Sequence, residues 1–191
     1  MAETHKERTR ARILDEAASA MRTHGPDGIG VAALMKRAGL THGGFYAHFS
    51  SRDDLVAHAV DRMFADSSGM LARHLDGAEP RAGLSTLIDY YVSDRARLAP
   101  ERGCPIPGLA GEAGRMPAAA RARFERGIVG FRARIAVALD AMGCADADSL
   151  AASVLAEMIG AVALSRALTD DAAASEILAN SREQLKKRLG L

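Results

Sequence analysis

Apolar residues recur at helical spacing along nearly the whole chain, and this pattern constrains the fold more than any other feature of the sequence. Near the N-terminus the apolar stripe comprises Ile13, Leu14, Ala17, Ala18 and Met21, which share one side of a helix with about 3.6 residues per turn. Alanine is abundant, and runs of the β-branched residues that favour strands are absent. The sequence therefore predicts an all-α fold.

Glycine and proline divide this pattern into separate helices, because both residues disrupt a helix interior. The segment HGPDG ends the first helix, Gly39 ends the second, and Ser51 can cap the fourth, which begins after SSRDD. The predicted helices are Thr4–His24, Val31–Ala38, a short one within 37–55, a fourth along 55–64, Arg81–Leu98, a short one near Leu109, Pro117–Met142, Ala147–Thr169 and Asp171–Leu189.

Length and charge place the chain among ordinary globular proteins. It has 191 residues, enough for one or two small domains, and a net charge of +1. No apolar run approaches the roughly 20 residues of a membrane span, and the charged N-terminus lacks the apolar core of a secretory signal. The two cysteines are too few for a disulfide framework. We therefore expect a cytoplasmic protein without membrane association.

Two adjacent glycines, Gly43 and Gly44, stand inside the third predicted helix, in the stretch RAGLTHGGFYAHFSSRDDL. A glycine in a helix interior costs about 1 kcal/mol relative to alanine, so the pair needs an explanation. With about 100° per residue, Phe45 and Phe49 fall on one side, which can anchor the helix to a core. The other side carries His42, Gly43, Tyr46 and Ala47, with Thr41 at the N-cap.

The exposed side of this helix has the properties of a surface that approaches a large grooved partner. Glycines let a backbone come close, and the N–H groups at a helix N-terminus attract phosphate. Tyr46 offers a hydroxyl to a phosphate oxygen, and His42 offers a ring nitrogen to a phosphate or a base edge. With the preceding helix and the turn at Gly39, the segment is predicted to be a helix-turn-helix that enters the DNA major groove.

The stretch AALMKRAGLTHGGFYAHFSSRDDL, residues 32–55, closely resembles the DNA-binding signature of TetR-family transcriptional regulators. The resemblance implies a three-helix DNA-binding domain over residues 1–53 and a helical effector-binding and dimerisation domain over 54–191. It also implies a homodimer formed through the last two helices, a near-palindromic double-stranded operator, and a repressor that a small-molecule effector releases from DNA.

The same resemblance assigns the DNA contacts by position. Two features depart from the family pattern: Gly30 replaces a serine or threonine that would touch phosphate, and Arg52 replaces the usual lysine. Gly30 can still cap a helix, and Arg52 is expected to bind phosphate equally well. The predicted DNA-contacting residues are Thr41, His42, Gly43, Gly44 and Tyr46, with His48, Arg52 and Lys36 flanking them.

The composition of the N-terminal part does not exclude a competing interpretation, a generic helical hairpin. Residues 1–66 hold nine Lys and Arg residues and nine Asp and Glu residues, so this part is neutral rather than basic. The local cluster of Lys6, Arg8, Arg10 and Arg12 and the density of the motif around 41–49 outweigh that neutrality. We therefore expect DNA binding.

An enzyme, or a helical carrier without DNA function, is the alternative of a different class. The sequence contains no G-x-S-x-G motif, phosphate loop or paired-carboxylate motif. His42 and His48 lie about 240° apart on a helix and cannot form a metal-binding pair. The other histidines, His5, His24, His58 and His74, are expected at the surface or at helix ends. We therefore predict no catalytic residues, no metal and no cofactor.

Aromatic and methionine residues of the second part supply the candidates for an effector pocket. The same residue types also build ordinary core, so composition alone does not separate the two interpretations. The candidate pocket residues are Met63, Phe64, Tyr90, Tyr91, Cys104, Phe124, Phe131 and Met158.

Cys104 precedes a proline that opens a short predicted helix, with Arg102 nearby. A helix N-terminus and an adjacent cation favour the reactive thiolate, so an alternative function is a repressor that senses oxidants or electrophiles through Cys104. The competing interpretation is a buried, inert thiol, whereas Cys144 in the loop MGCADAD has no assigned role.

Small residues line one side of the predicted helix Ala147–Thr169. Ala152, Ala156, Gly160 and Ala163 follow one another at near four-residue spacing, which permits close helix approach. With Ile159, Val162, Ile177 and Leu185 they suit a dimer interface, although packing within one chain would need the same pattern.

Overall fold

A computed structural model describes residues 4–28 and 30–191, and within these residues it contains helices and no strand. The α-helices are α1 (His5–His24), α2 (Val31–Arg37), α3 (Arg52–Leu75), α4 (Pro80–Tyr91), α5 (Asp94–Leu98), α6 (Ile106–Leu109), α7 (Ala118–Ala141), α8 (Ala147–Ala167) and α9 (Asp171–Leu189). Three short 3-10 helices cover His42–Ala47, Pro100–Arg102 and Ala110–Arg115. The predicted all-α fold is confirmed.

Local capping explains where α1 begins and ends. Thr4 and Glu7 form a capping box, in which the Glu7 N–H donates to Thr4 Oγ1 at 3.2 Å and the Thr4 N–H donates to Glu7 Oε2 at 2.7 Å. These hydrogen bonds lower the pKa of Glu7. The helix ends at Gly25, whose φ of 79° lies in a region that other residues rarely adopt. The predicted first helix is confirmed, except that Thr4 is its N-cap and the helix begins at His5.

The predicted helix Arg81–Leu98 is wrong as one element, because the structure divides it between α4 and α5. At the break, Arg182 Nη1 donates to the carbonyl oxygen of Val92 at 2.9 Å and Arg166 Nη2 donates to that of Ala96 at 2.7 Å. Ser93 caps α5 by accepting a hydrogen bond from the Ala96 N–H at 3.3 Å. Side chains from α8 and α9 thus satisfy carbonyl groups near the break.

Packing divides the chain into two compact units, and the division falls within α3 and α7. The first unit comprises Met1–Ala65 and Glu101–Gly127. Arg22 joins its parts, because the buried guanidinium donates to the carbonyl oxygens of Met63 and Glu101, at 3.3 Å each. The largest buried side chains of this unit include Ile13, Leu34, Met35, Phe45, Phe49, Met63, Ile106 and Phe124.

The second unit comprises Asp66–Pro100 and Ile128–Leu191, and its most extensive helix contact joins α8 and α9. Val162 and Leu185 are 1% and 0% exposed, so they pack inside this chain and the prediction that they belong to a surface interface is wrong. By contrast, the side of α8 that we call its outer face remains accessible. It comprises the exposed Ala152, Ala156 and Leu164 and the half-buried Gly160 and Ala163.

The helix α8 differs from the expectation that no apolar run approaches a membrane span, because it is the one segment of the described residues that is long and apolar enough to cross a membrane by length and composition. Core helices of globular proteins meet the same criteria. Only 33% of its most apolar stretch is buried within the chain, which leaves an apolar surface that a protein partner could cover.

Candidate nucleic-acid interface

The helix-turn-helix is built by α2, a tight turn and the 3-10 helix His42–Ala47, which we call the recognition segment. Gly39 has a φ of 68° and directs the chain out of α2. In the turn, the Leu40 N–H donates to the carbonyl oxygen of Met35 at 2.8 Å and the Gly39 N–H to that of Lys36 at 3.0 Å. These two bonds close a Schellman-like end of the helix and fix the angle at which the recognition segment leaves it.

The recognition segment differs from the predicted α-helix, since it is a 3-10 helix of six residues. Its first bond runs from the Gly44 N–H to the Thr41 carbonyl oxygen at 3.1 Å, a three-residue span. Thr41 occupies the N-cap position, but its side chain makes no capping hydrogen bond there. Two glycines weaken α-helix formation, so tertiary contacts of the aromatic residues hold the segment in place.

Those contacts come from Phe45 and Phe49, which are 1% and 2% exposed, with ring centroids 5.7 Å apart. Tyr46 lies between them in sequence and is 70% exposed. The prediction that the phenylalanines anchor the segment is confirmed. The outward side presents the exposed residues Thr41, His42, Gly43 and Tyr46, with Gly44 half-buried.

Gly43 needs no glycine for the packing of this chain. A Cβ atom placed there would meet nothing within 4 Å among the described residues, and its φ is not positive. A glycine that the fold itself does not require, on an exposed and otherwise polar surface, is typical of a place where another molecule approaches the backbone. This geometry supports the role predicted for Gly43.

Arg10 in α1 supports the recognition segment from the side. Its guanidinium carbon lies 4.9 Å from the centroid of the Phe49 ring, a cation–π contact. It adds positive charge beside His48, whose Nδ1 atom is buried and has no hydrogen-bond partner among residues 4–28 and 30–191. Burial, followed by Lys6 and Arg10, lowers the pKa of His48. His48 is therefore neutral at physiological pH, and a contact with phosphate would use Nε2 as the donor.

Arg52 is placed differently from the prediction of a simple phosphate contact. Its Nη2 atom donates to the carbonyl oxygen of Pro26 and lies 2.9 Å from Oδ1 of Asp27, in the loop before α2. The Arg52 side chain is 37% exposed and that of Asp27 is 83% exposed. A phosphate at this position would have to share the guanidinium with an exposed carboxylate.

Other ion pairs join oppositely charged residues within the first 66 residues, which are neutral overall. Arg37 pairs with Glu16 at 3.0 Å, and Arg62 pairs with Asp15 at 2.8 Å. Lys36, at the end of α2, is exposed. Asp15 and Glu16 of α1 are thus engaged by cations of α2 and α3, which reduces their repulsion of a nucleic acid.

The turn after the recognition segment is fixed by Asp54. Its Oδ2 atom accepts hydrogen bonds from the N–H and the hydroxyl of Ser50, at 3.0 and 3.1 Å. The backbone bond from Ser50 is the main reason why the pKa of Asp54 is lowered. Ser51 caps α3 as predicted, with its Oγ accepting from the Asp54 N–H at 3.1 Å. The helix begins at Arg52, earlier than predicted.

His58 and Arg123 belong to this region, although the sequence interpretation assigned no role to them. His58 was expected at the surface, but it is half-buried, with Nε2 at 3.3 Å from Oδ1 of Asp54 and Nδ1 at 3.2 Å from Nη1 of Arg123. The four-residue spacing of Asp54 and His58 on one helix could have predicted their contact. Arg123 lies 65 residues from His58 in sequence, so no local pattern could have predicted its contact with His58.

The eight candidate pocket residues are divided between the two units. Phe64 and Phe124 touch edge to face in the first, with centroids 5.4 Å apart, and Tyr91 and Phe131 do so in the second, at 5.8 Å. The first unit holds Met63, Phe64, Cys104 and Phe124, and the second holds Tyr90, Tyr91, Phe131 and Met158. Most are buried, whereas Tyr90 and Cys104 are half-buried. Their role as pocket residues stays a prediction.

Cys104 lies in a less activated setting than the sequence suggested. The helix that follows, α6, has four residues, and a single turn has only a small dipole. The Arg102 side chain is 86% exposed and lies 3.9 Å from Glu101. No group of three or more His, Cys, Asp or Glu residues in the described part of the chain could hold a metal ion.

Comparisons with known proteins agree with the helix-turn-helix. The family model for bacterial regulatory proteins of the tetR family matches residues 13–59. No curated protein sequence matches the chain significantly. A TetR transcriptional regulator from Chloroflexus aurantiacus J-10-FL is 26% identical, with a TM-score of 0.82 over 97% of this chain and 96% of that one.

Two further solved structures share the fold along nearly the full length. The reduced form of NemR from Escherichia coli is 20% identical, with a TM-score of 0.81 over 94% of this chain and 96% of that one. A TetR-family regulator from Agrobacterium tumefaciens is 20% identical, with a TM-score of 0.80 over 94% and 98% of the two chains. Residues 13–59 thus match the tetR family of bacterial regulatory proteins, and the chain as a whole has the fold of TetR transcriptional regulators. These findings support a ligand-responsive DNA-binding transcriptional regulator with an N-terminal helix-turn-helix.

Proposed function

We propose that the chain acts as a homodimeric repressor that binds a near-palindromic DNA operator and leaves it when a small molecule binds. The observation that supports DNA binding is that the recognition segment has a buried apolar side and an exposed polar side. Phe45 is 1% exposed, whereas the adjacent Tyr46 is 70% exposed. A segment so short keeps this orientation because its aromatic anchors are buried, and it presents its polar residues and Gly43 outward.

The proposed contacts follow from the chemistry of each side chain. Gly43 and Gly44 let the backbone approach the major groove, and Thr41 lies at the N-terminus of the segment, where N–H groups attract phosphate. The Tyr46 hydroxyl donates to a phosphate, and His42 reaches a base edge. Lys36, His48 and Arg52 flank these residues as further phosphate contacts.

The proposed dimer interface is the outer face of α8 together with α9. Ala152 and Ala156 are exposed and Gly160 is half-buried, so a second copy could bring its own helices close to this face. The largely unburied apolar stretch of α8 gives such an interface its hydrophobic driving force. Two-fold symmetry of the protein then requires two-fold symmetry of the operator. Such a regulator works in the cytoplasm, where chromosomal DNA is accessible.

We propose that the dimer has one conformation that binds the operator and another that does not, and that the effector binds these two conformations with different affinities. A ligand shifts an equilibrium only by its differential affinity for the two states. The candidate pocket residues are apolar and aromatic, and the hydroxyls of Tyr90 and Tyr91 add polar groups, so the expected effector is a largely apolar small molecule. We expect no catalytic activity, metal or cofactor.

The test is selection of bound fragments from the chromosome, followed by sequencing. We expect enrichment of a near-palindrome with half-sites about one helical turn apart, and the neighbouring genes would indicate the effector. The double variant His42→Ala/Tyr46→Ala keeps the buried anchors and should enrich nothing. A matched control, Thr23→Ala/His24→Ala, changes two exposed residues of α1 and should enrich the same sites. Equal enrichment by both double variants would contradict the proposal.

A thiol-sensing repressor that uses Cys104 is the second candidate. Its half-buried position permits slow access by a small electrophile. Under this alternative Cys104→Ser should bind the operator normally and ignore electrophiles that release the parent. We expect the opposite result, namely slow alkylation of Cys104 in the native protein and fast alkylation only after unfolding.

A further inference from the structure

A chain of polar groups in the first unit runs from α7 to the turn that follows the recognition segment, and we call it the His58 chain. Nη1 of Arg123 lies 3.2 Å from Nδ1 of His58, and Nε2 of His58 lies 3.3 Å from Oδ1 of Asp54. Oδ2 of Asp54 in turn accepts two hydrogen bonds from Ser50. Ser50 directly follows Phe49, one of the two anchors of the recognition segment.

The geometry fixes the tautomer of His58. A guanidinium group can only donate hydrogen bonds, so Nδ1 of His58 must accept from Arg123. The proton of the neutral ring then resides on Nε2, which donates to the carboxylate of Asp54. The ring can accept on one side and donate on the other only while it is neutral, because both nitrogens are donors in the protonated form.

The charged groups around His58 come from three helices. Arg10 approaches from α1, Arg123 from α7, and Asp54 and Asp61 lie on α3 with His58; Arg123 also pairs with Asp61. Burial is the main cause that lowers the pKa of His58, followed by Arg10 and Arg123, whereas the two carboxylates oppose them. The neutral form that the His58 chain needs is therefore the form present at physiological pH.

We propose that His58 and Arg123 are positioning residues for DNA binding, which hold Asp54, and through it the turn at Ser50, in one orientation while His58 is neutral. Protonation places an N–H of His58 against the guanidinium of Arg123, which replaces a hydrogen bond by repulsion. The turn then loses its support from α7, and operator affinity falls. This inference rests on the proposed DNA binding, but its structural part can be measured without DNA.

The first experiment is nitrogen-15 NMR of the imidazole groups in the full chain without DNA, with His58→Gln used for assignment. We expect a neutral Nε2–H tautomer and a pKa below the ordinary 6.5. In Arg123→Met the pKa of His58 should rise, because a neighbouring cation and its hydrogen bond are lost. Arg121→Met is the matched control, since Arg121 is exposed and lies about 200° around α7. An Nδ1–H tautomer, or an unchanged pKa in Arg123→Met, would overturn the inference.

The amide signals of Ser50 and of the recognition segment provide a second readout without DNA. In the parent protein, these amide signals should shift as His58 titrates. In His58→Gln, the part of the shift that follows His58 should be absent. A glutamine can accept through Oε1 and donate through Nε2, but it does not titrate. Amide shifts of equal pH dependence in both proteins would show that His58 does not position the turn.

The last experiment measures affinity for a duplex that the parent protein selects from a random pool. Between about pH 7.5 and about pH 5.5, the parent should lose about fivefold more affinity than His58→Gln, at the lower end of usual coupling between sites. The other histidines are present in both proteins, so their effects cancel. His58→Leu should bind more weakly at both pH values. Equal pH profiles of the parent and His58→Gln would overturn the positioning role, whereas failure of the parent to select any duplex would contradict the proposed function instead.

Discussion

The recognition segment and the outer face of α8 are both exposed, yet they are built in opposite ways. The recognition segment is polar and glycine-containing on the outside, and it is held by two phenylalanines that are 1% and 2% exposed. The outer face of α8 consists of alanine, glycine and leucine on a regular helix of 21 residues. The recognition segment depends on its buried phenylalanines for its conformation, whereas the outer face of α8 belongs to a regular helix that needs no such anchors.

This difference indicates which partner each surface suits. A charged, hydrated duplex is recognised by hydrogen bonds and by close backbone approach, so the segment that meets it can be polar and weakly helical. A second protein copy is held mainly by apolar burial and close packing, so its interface needs a rigid helix with small residues. Substitutions on the outer face of α8 should therefore weaken dimerisation, whereas exposed substitutions in the recognition segment should leave dimerisation unchanged.

The largest effect is expected from the anchors. Phe45→Ala should lower the free energy of unfolding by about 3–5 kcal/mol, because it removes a buried aromatic side chain and leaves a cavity. The adjacent Tyr46→Ala is the matched control and should change stability by no more than about 0.5 kcal/mol, because that side chain is exposed. Denaturant unfolding measures both. A comparable loss of stability in the two variants would show that Tyr46 is also part of the core.

The next effect concerns the outer face of α8. Ala156→Glu should weaken dimerisation by about 2–3 kcal/mol, since it buries an unpaired charge in the proposed interface. Operator affinity should fall as well, because separate monomers lose the gain from joining two half-sites. Sedimentation equilibrium measures the dimer, with the exposed Ala122→Glu on α7 as the control. Identical behaviour of the two variants would place the interface elsewhere.

The third effect separates phosphate contacts from base contacts within the recognition segment. Tyr46→Phe should weaken binding by about 1–2 kcal/mol on every operator sequence, because one hydrogen bond to a charged phosphate is lost. His42→Ala should instead change the preferred base at one position of each half-site. Binding to a set of single-base operator variants measures the difference. A Tyr46→Phe protein with the parent's affinity at several salt concentrations would contradict the phosphate assignment.

Much of the fold could be predicted because its helices are bounded by local signals. Gly25 and Gly39 end helices where the sequence predicted, and Ser51 caps α3 as predicted, since capping needs only neighbouring residues. The break at Val92 could not be predicted, because the arginine that bonds its carbonyl lies 90 residues away. The 3-10 form of the recognition segment likewise depends on how Phe45 and Phe49 pack, which a helical wheel does not contain.

The residue types of the candidate site could be predicted from the sequence. The competition between a carboxylate and a DNA phosphate for Arg52 could not. The wheel separated Phe45 from Tyr46 correctly, because burial follows hydrophobicity at any short helical spacing. The resemblance placed Arg52 at a phosphate, but it could not reveal that Asp27, 25 residues earlier, contacts the same guanidinium. Such competition between a carboxylate and a nucleic acid becomes visible only when the loop and the helix are placed together.

The smallest effect tests that competition. Asp27→Asn should raise operator affinity by about two- to threefold, because an exposed negative charge beside Arg52 and the DNA is removed. The hydrogen bond from Arg52 to the carbonyl oxygen of Pro26 does not involve the carboxylate and should remain. Asp140→Asn is the control, since it makes the same change of net charge at an exposed position of α7 in the second unit.

The direction of the result distinguishes two roles for Asp27. If the carboxylate competes with phosphate, Asp27→Asn binds more tightly at low salt and the advantage shrinks as salt screens the charge. If the carboxylate instead holds Arg52 in position for phosphate, the variant binds more weakly at every salt concentration. We expect the first result, because the Asp27 side chain is 83% exposed and too weakly restrained to orient a guanidinium that Pro26 already holds.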